Sequence, residues 1–253
     1  MNGGASTALR ERLEAEAAKR NDPGELSLRR PDPLLVARRL SDDRAILLCA
    51  LFGYGNAARI VDFLRSLDFS LLYAGEGEIR RGLKGRRYRF QSEEDVARAF
   101  LALGRLAPGE LEALFMEGYG KEGRVIDGVF GLIRRIREAA GYESDGFDFL
   151  FGRVPPDGKP RGAYKRWMMF LRWMVRRDAL DLGRWSGVAT RDLVIPLDTH
   201  TYRVGRRLGL LRRKSPDWKA ALELTDSLRR FDPEDPVRYD FALYRMGQEG
   251  FVS

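Results

Sequence analysis

Lys165 and Asp198 are the two side chains whose types and positions favour nucleophilic catalysis. Lys165 lies in the first turn of a helix predicted over residues 162–177, where the positive end of the helix dipole disfavours an ammonium group. Arg161 and Arg166 add positive charge beside it. All three influences favour the neutral amine, which is the nucleophilic form of lysine. The alternative interpretation is a surface lysine that contacts phosphate or solvent.

Asp198 stands at the start of another predicted helix, in the segment Ile195-Pro-Leu-Asp-Thr-His-Thr-Tyr-Arg-Val-Gly-Arg-Arg-Leu-Gly209. Aspartate in such a place is commonly an N-cap, whose side chain accepts a hydrogen bond from the first turn of the helix. A cap alone is therefore the simpler interpretation of Asp198. The two roles are compatible, however, because the capping geometry would hold a catalytic carboxylate in a defined place.

The composition limits which kinds of site the chain can build. Its 253 residues include one cysteine, Cys49, and one histidine, His200, so a disulfide framework, a four-thiolate metal site and a site of several imidazoles are excluded. We expect no metal and no cofactor. The chain has 45 Lys and Arg against 37 Asp and Glu, a net charge of +8, which favours a polyanionic partner such as nucleic acid. Genome composition or a hot habitat would also enrich arginine.

The hydrophobic pattern predicts a mainly α fold. Apolar residues recur at helical spacing, and alternating strand-like runs are almost absent. The longest apolar runs, such as residues 45–52, are too short to cross a bilayer, and the first ten residues lack the apolar core of a secretory signal. We therefore expect a cytoplasmic, nucleoid-associated protein that does not bind membranes.

Glycine and proline mark the expected irregular segments. Residues 152–162 contain three prolines and three glycines, and residues 75–90 are rich in glycine and arginine, so both are predicted as loops. The segment Phe52-Gly-Tyr-Gly-Asn56 is expected to interrupt an early helix. Asp235 followed by proline is a good start for a last helix that reaches about Gln248.

The segment that begins at Ile195 resembles the catalytic-aspartate region of the endonuclease III type of helix-hairpin-helix DNA glycosylase. In that family an Asp-Thr-His begins a helix that continues with Arg-Val and ends near Arg-Leu-Gly, and the match here covers 15 contiguous residues. The Leu-Pro-Gly-Val-Gly hairpin of those enzymes is absent. The segment Arg161-Gly-Ala-Tyr-Lys-Arg-Trp-Met-Met-Phe170 instead resembles the corresponding element of the archaeal 8-oxoguanine glycosylases, and Lys165 precedes Asp198 by 33 positions.

The resemblance also implies residues that contact the base and the DNA. The helix of Asp240 and Tyr244 looks like the late helix of the archaeal enzymes, in which an Asp-x-x-x-Trp pair contacts the base. Tyr54 and Met169 are the other base-pocket candidates. Each of these has a plainer interpretation as a core or packing residue. The candidate DNA contacts are Arg161, Gly162, Arg166, His200, Arg203, Arg206 and Arg207.

The family implies a two-lobed helical bundle with a DNA-binding cleft between the lobes. We expect one lobe over residues 41–180, ending in the hairpin and the Lys165 helix, and a second formed by residues 1–40 and 181–253. The implied function is a monomeric base-excision glycosylase with AP-lyase activity on damaged double-stranded DNA, with 8-oxoguanine as a candidate lesion. The alternatives are a monofunctional glycosylase in which Asp198 activates water, a non-catalytic module that recognises distorted or abasic DNA, and a protein-interaction role.

Overall fold

The computed structural model describes residues 3–251, with side chains from residue 7 onward, and the described chain is mainly helical, as predicted. Within those residues it contains thirteen α-helices and no β-strand. The helices are α1 (Gly3–Arg20), α2 (Leu34–Ala37), α3 (Asp43–Leu51), α4 (Ala57–Arg65), α5 (Glu76–Gly82), α6 (Glu93–Gly104), α7 (Glu110–Glu122), α8 (Val125–Ala140), α9 (Asp145–Phe151), α10 (Lys165–Val175), α11 (Thr199–Arg207), α12 (Trp218–Arg229) and α13 (Asp240–Gln248). None of these helices is both long and apolar enough to cross a bilayer.

The chain divides into two compact units whose boundaries differ from the predicted ones. Unit 1 contains residues 1–25 and 159–253, and unit 2 contains residues 26–158. The predicted lobes, 41–180 and 1–40 plus 181–253, placed the Lys165 helix apart from Asp198. The structure corrects this prediction, because α10 and α11 both belong to unit 1.

Unit 2 contains α2 to α9 around a core of aliphatic and aromatic side chains. Helices α6 and α7 both pack on α8, and their buried faces include Phe100, Phe115, Phe130 and Ile133, each at most 2% exposed. Polar side chains define where the helices begin. Ser92 accepts a hydrogen bond from the backbone N–H of Asp95 at α6, and the Asp95 carboxylate accepts one in return from the backbone N–H of Ser92.

The prediction of a loop over residues 75–90 was wrong in its first part, because α5 occupies Glu76–Gly82. The glycines of this stretch led to the loop prediction, although the stretch also contains the residues that start a helix. The Glu78 carboxylate accepts a hydrogen bond from the backbone N–H of Gly75, and Glu76 adds a second carboxylate in the first turn. The prediction of a break after Phe52 is confirmed, since α3 ends at Leu51 and α4 begins at Ala57.

Unit 1 joins the first described helix to the last ones. Arg20 at the end of α1 is buried and pairs with Glu25 and Glu249, and the Tyr239 hydroxyl donates to Glu14. Helix α10 supplies the buried aromatic residues Phe170 and Trp173, both fully inaccessible. Helix α11 packs on α13, so the segment that follows Asp198 lies directly against the segment that follows Asp240.

Candidate active site

Lys165 lies in the first turn of α10, as predicted, although the helix begins at Lys165 itself rather than at residue 162, and its side chain is half-buried. The residue before it, Tyr164, adopts a left-handed backbone with φ of 49°, a conformation that is uncommon for an aromatic residue. The preceding segment is fixed to the start of α12. The backbone N–H of Trp218 donates to the Arg161 carbonyl at 3.2 Å, and Gly162 forms a β-bridge with Asp217. The segment that precedes Lys165 is therefore held against the start of α12.

Asp198 is the N-cap of α11, which confirms the capping prediction. Its Oδ1 accepts a hydrogen bond from the backbone N–H of Thr201 at 2.8 Å, and none of the residues that the structure describes donates to Oδ2. The chain before it is buried, and the N–H of Ile195 donates to the hydroxyl of Thr225 on α12 at 3.0 Å. The half-buried Asp198 therefore has one oxygen engaged in the cap and one available for a ligand.

Asp240, the first residue of α13, connects the two predicted catalytic residues. It is only 4% exposed, and its Oδ2 accepts a hydrogen bond from Nη1 of Arg172, whereas Oδ1 has no hydrogen-bond partner among the described residues. The pKa of the Asp240 carboxyl is raised to about 6, chiefly by burial and also by the negative charge of Asp198, while Arg172 and Lys165 oppose the rise. Asp240 therefore interacts electrostatically with both Lys165 and Asp198. Side chains from α10, α11 and α13 converge here.

A buried ion network behind this cluster was missed by the sequence analysis. Nε of Arg172 donates to Asp181 at 3.2 Å, so one guanidinium bridges Asp181 and Asp240. Arg176, the residue that follows α10, pairs with Asp181 and also with Asp235 at 2.9 Å. Burial raises the pKa of the Asp181 carboxyl, although both arginines oppose the rise. The network holds Asp240 through its Oδ2 atom, which accepts the hydrogen bond from Arg172.

A sequence signal for this network was present in the apolar run of α10. Arg172 interrupts a run of bulky apolar residues from Trp167 to Val175, and it follows Lys165 by seven residues, which is two helical turns. A charged residue in the middle of a buried helix requires a buried partner of opposite sign. The pattern therefore indicates a buried ion pair, but it does not reveal that the partner is 68 residues away.

The remaining base-pocket candidates of unit 1 are placed around this cluster in different ways. Met169 is 7% exposed and lies one turn after Lys165 on α10, and Tyr244 is half-buried one turn after Asp240 on α13. Both residues therefore share a helix face with a residue of the cluster. Their contact with a base stays a prediction.

His200 packs between helices. Its ring lies edge-on to that of Tyr244, with centroids 5.8 Å apart. A Cβ added at Gly247 on α13 would lie 2.6 Å from the Cβ of His200, so the close approach of α11 to α13 depends on this glycine. The predicted DNA contact of His200 stays a prediction, while its packing role is evident.

The candidate DNA-contact residues around Lys165 and on α11 lie at the surface of unit 1. Arg161, Gly162, Arg203, Arg206 and Arg207 are exposed, and Arg166 is half-buried. Within residues 7–251, no carboxylate forms a salt bridge with the three arginines of α11. Their charge is therefore available to an anionic partner. DNA contact by any of these residues stays a prediction.

Tyr54 belongs to unit 2. Its ring contacts Tyr88, Phe90 and Phe149, with centroids 5.2, 6.2 and 4.9 Å away. Tyr54 is thus part of an aromatic cluster in unit 2, and it is the one base-pocket candidate outside the unit that holds Lys165 and Asp198.

The fold and the site define a mainly helical protein with a lysine and two aspartates gathered beside a buried ion network. Residues 32–249 match the model of a family described as a protein of unknown function, DUF2400, and the chain belongs to this family. No curated protein matches the sequence, and no solved structure matches it.

Proposed function

We propose that this protein is a DNA glycosylase with AP-lyase activity that removes a damaged base through a covalent lysine intermediate. The observation that carries the proposal is the meeting of α10, α11 and α13: Arg172 of α10 binds Asp240, and α13 packs on the helix that Asp198 caps. The charges of Lys165 and Asp198 both act on the Asp240 carboxyl there. An amine and two carboxylates in one cluster supply a nucleophile and the negative charge that stabilises a cationic sugar. The sequence resemblance to helix-hairpin-helix glycosylases, including the two-lobed fold type, supports the same assignment.

In this mechanism the damaged nucleotide first leaves the base stack, because its sugar carbon is inaccessible within a duplex. The neutral Lys165 amine attacks C1′ while the glycosidic bond breaks, and the base departs with the bonding electrons and takes the proton that the alkylated amine gives up. Asp198 stabilises the positive charge on the sugar. Transfer of the remaining nitrogen proton to O4′ opens the sugar ring and leaves a Schiff base to Lys165. Removal of a proton from C2′ then expels the 3′ phosphate and nicks the strand, and water hydrolyses the Schiff base to release the Lys165 amine.

Asp240 and Tyr244 are proposed to contact the extruded base. Oδ1 of Asp240 is a buried hydrogen-bond acceptor without a partner among the described residues, so a base reaches it only when neighbouring side chains move aside. Tyr244 lies one turn away on α13, and its ring, which packs against those of His200 and Phe241, is the proposed stacking surface. Guanine presents an acceptor at N7, whereas its 8-oxo derivative carries a hydrogen there. An acceptor such as Asp240 therefore favours the oxidised base, which makes 8-oxoguanine the candidate lesion.

Damaged double-stranded DNA is the proposed partner, and the exposed arginines are proposed to bind its phosphates. Arg203, Arg206 and Arg207 lie on the helix that Asp198 caps, so phosphate contacts there would position the sugar near the cluster. Each lost phosphate contact is expected to weaken binding and to reduce the salt dependence.

Borohydride trapping on a duplex that contains 8-oxoguanine or an abasic site tests the proposal. The wild-type protein should form a covalent adduct, and Lys165→Ala should abolish it. Lys214→Ala, which removes an exposed lysine of the same unit, is the matched control and should trap normally. Trapping that survives Lys165→Ala would assign the amine to another residue, and no trapping on either substrate would refute the lyase chemistry.

A monofunctional glycosylase is the second candidate function. The available Oδ2 of Asp198 favours it, because this oxygen could accept a proton from an attacking water. Base release without strand cleavage or trapping would identify this mechanism. Tight lesion binding without base release, unaffected by Asp198→Asn, would instead identify a non-catalytic module that recognises damaged DNA.

A further inference from the structure

Unit 2 carries three aromatic rings that contact one another at its surface, here called the aromatic platform: Tyr54, Phe90 and Phe149. Phe90 is 57% exposed and Phe149 is 42% exposed. The rings of Phe90 and Phe149 lie 4.8 Å apart, and the ring of Tyr54 is almost parallel to that of Phe90, at 5°. Clustered, exposed aromatic side chains in a folded protein commonly mark an interaction site.

Positive charge lies next to the platform in the chain, and Arg89 contacts its rings. The segment that leads into Phe90 carries four exposed cations, here called the basic rim: Lys84, Arg86, Arg87 and Arg89. No carboxylate among residues 7–251 forms a salt bridge with any of them. The guanidinium of Arg89 lies 5.7 Å from the ring centroid of Tyr54 and 5.4 Å from that of Phe90. Unneutralised charge beside exposed rings is complementary to a ligand that has both anionic groups and flat faces.

The turn that presents Phe90 is strained, and its base is held by buried hydrogen bonds. Tyr88 and Gln91 exchange two backbone hydrogen bonds, at 3.1 and 2.8 Å, and Arg89 between them has φ of 51°, where such turns prefer glycine. The buried Gln91 side chain accepts from the Tyr54 hydroxyl and donates to the Gly146 carbonyl at 2.7 Å. The platform is therefore prearranged. An arginine in the glycine position adds a cation to the platform at a cost in strain.

We propose that the aromatic platform and the basic rim bind an unpaired stretch of nucleic acid. Bases stack on Phe90 and Phe149, and phosphates lie against Arg86 and Arg87. Every nucleobase has a flat face that stacks on an aromatic ring, so this binding is tolerant of sequence. A paired base is already stacked on its neighbours, so the platform discriminates in favour of single strands, bulges and extruded bases. The proposal is independent of chemistry at Lys165, which belongs to unit 1.

Fluorescence anisotropy with the full chain and undamaged oligonucleotides tests the role of the rings. The probes are an oligothymidine of about 12 nucleotides and a duplex of the same length. Phe90→Ala combined with Phe149→Ala should weaken oligothymidine binding about 10-fold or more and change duplex binding less than about 2-fold. Tyr73→Ala, which removes a 66%-exposed aromatic side chain of the same unit outside the platform, should leave both affinities unchanged. Because neither probe carries a lesion, failure of the glycosylase chemistry would not affect this result.

The role of the basic rim is tested by measuring how the oligonucleotide affinity depends on salt concentration. Replacement of Arg86 and Arg87 by Gln should reduce the slope of log affinity against log salt by about 1.4 for the single strand, since each lost phosphate contact removes ~0.7. Replacement of the exposed pair Arg38 and Arg39 by Gln is the matched control and should leave the slope unchanged.

Three results would overturn the proposal. One is an unchanged oligothymidine affinity when the two phenylalanines are removed. Another is an equal loss for the single strand and the duplex. The third is binding of phosphatidylserine vesicles that requires the same rings, together with no oligonucleotide binding. If the double variant does not fold, Phe90→Ser alone is used, because Phe90 is the most exposed of the three rings. The readout is the fluorescence of a 2-aminopurine base in the oligonucleotide, which changes on binding to the wild type and should change less with the variant if the base stacks on Phe90.

Discussion

Replacing Asp240 by Asn should change how the stability of the protein depends on pH. The pKa of this carboxyl is raised to about 6 in the folded protein from 3.8, because burial disfavours its charged form. A raised acid pKa gives stability that is fully present below the unfolded value and is lost as pH rises through the folded value. The shift is worth about 3 kcal/mol in total, and about 2 kcal/mol of it falls between about pH 4.5 and pH 7.5. Asn cannot ionise, so Asp240→Asn lacks this loss.

The measurement is urea unfolding of both proteins at several values of pH in this range. The free energy of unfolding of the wild type, minus that of Asp240→Asn, should fall by about 2 kcal/mol as pH rises. The other titrating groups are common to both proteins and largely cancel. Asp226→Asn on α12, whose side chain is 66% exposed, is the control and should give a nearly constant difference. A constant difference for Asp240→Asn would refute the raised pKa, and a rising difference would show that Arg172 outweighs burial.

Three further predictions concern the network, the cap and the helix contact. Arg172→Met should destabilise the fold by about 3–5 kcal/mol in urea unfolding, because it leaves buried carboxylates without their partner. Asp198→Ala should lower the free energy of unfolding by about 1 kcal/mol, because the cap at Thr201 is lost. Asp198→Asn should keep most of that stability but lose base release. Equal losses of stability in the two variants would contradict the separation of the capping role from the catalytic role. Gly247→Ala should lower the melting temperature by an amount that corresponds to about 1–3 kcal/mol, because its methyl group would overlap the backbone-proximal atoms of His200; an unchanged melting temperature would mean that the helices can separate easily.

The parts of the site that depend on local chemistry could be predicted from the sequence. The cap at Asp198 and the position of Lys165 at the start of a helix follow from residue type and spacing within one or two turns. The resemblance implies the pair Asp240 and Tyr244, and their four-residue separation places both on one helix face. These predictions need no knowledge of how distant segments meet.

The division into units could not be predicted in the same way. Helix α10 belongs with the C-terminal segments because Arg172 pairs with Asp240, 68 residues away, and Arg176 pairs with Asp235, 59 residues away. Such ion pairs carry no periodicity and no fixed spacing, so a single sequence does not show which charges meet. The aromatic platform could not be predicted for a related reason. Its rings come from distant segments, and Tyr54 and Phe149 are 95 residues apart (149 minus 54).

The contacts of Arg20 impose an order on how this protein is made. Residues 26–158 are complete as a unit while the remaining part of the chain is still being synthesised, so unit 2 has all its packing partners early. Helix α1 precedes unit 2 in the chain, yet Arg20 must wait for Glu249, 229 residues later. Unit 1 therefore closes only after the segment that carries Glu249 has been synthesised, and Arg20 lacks this partner until then.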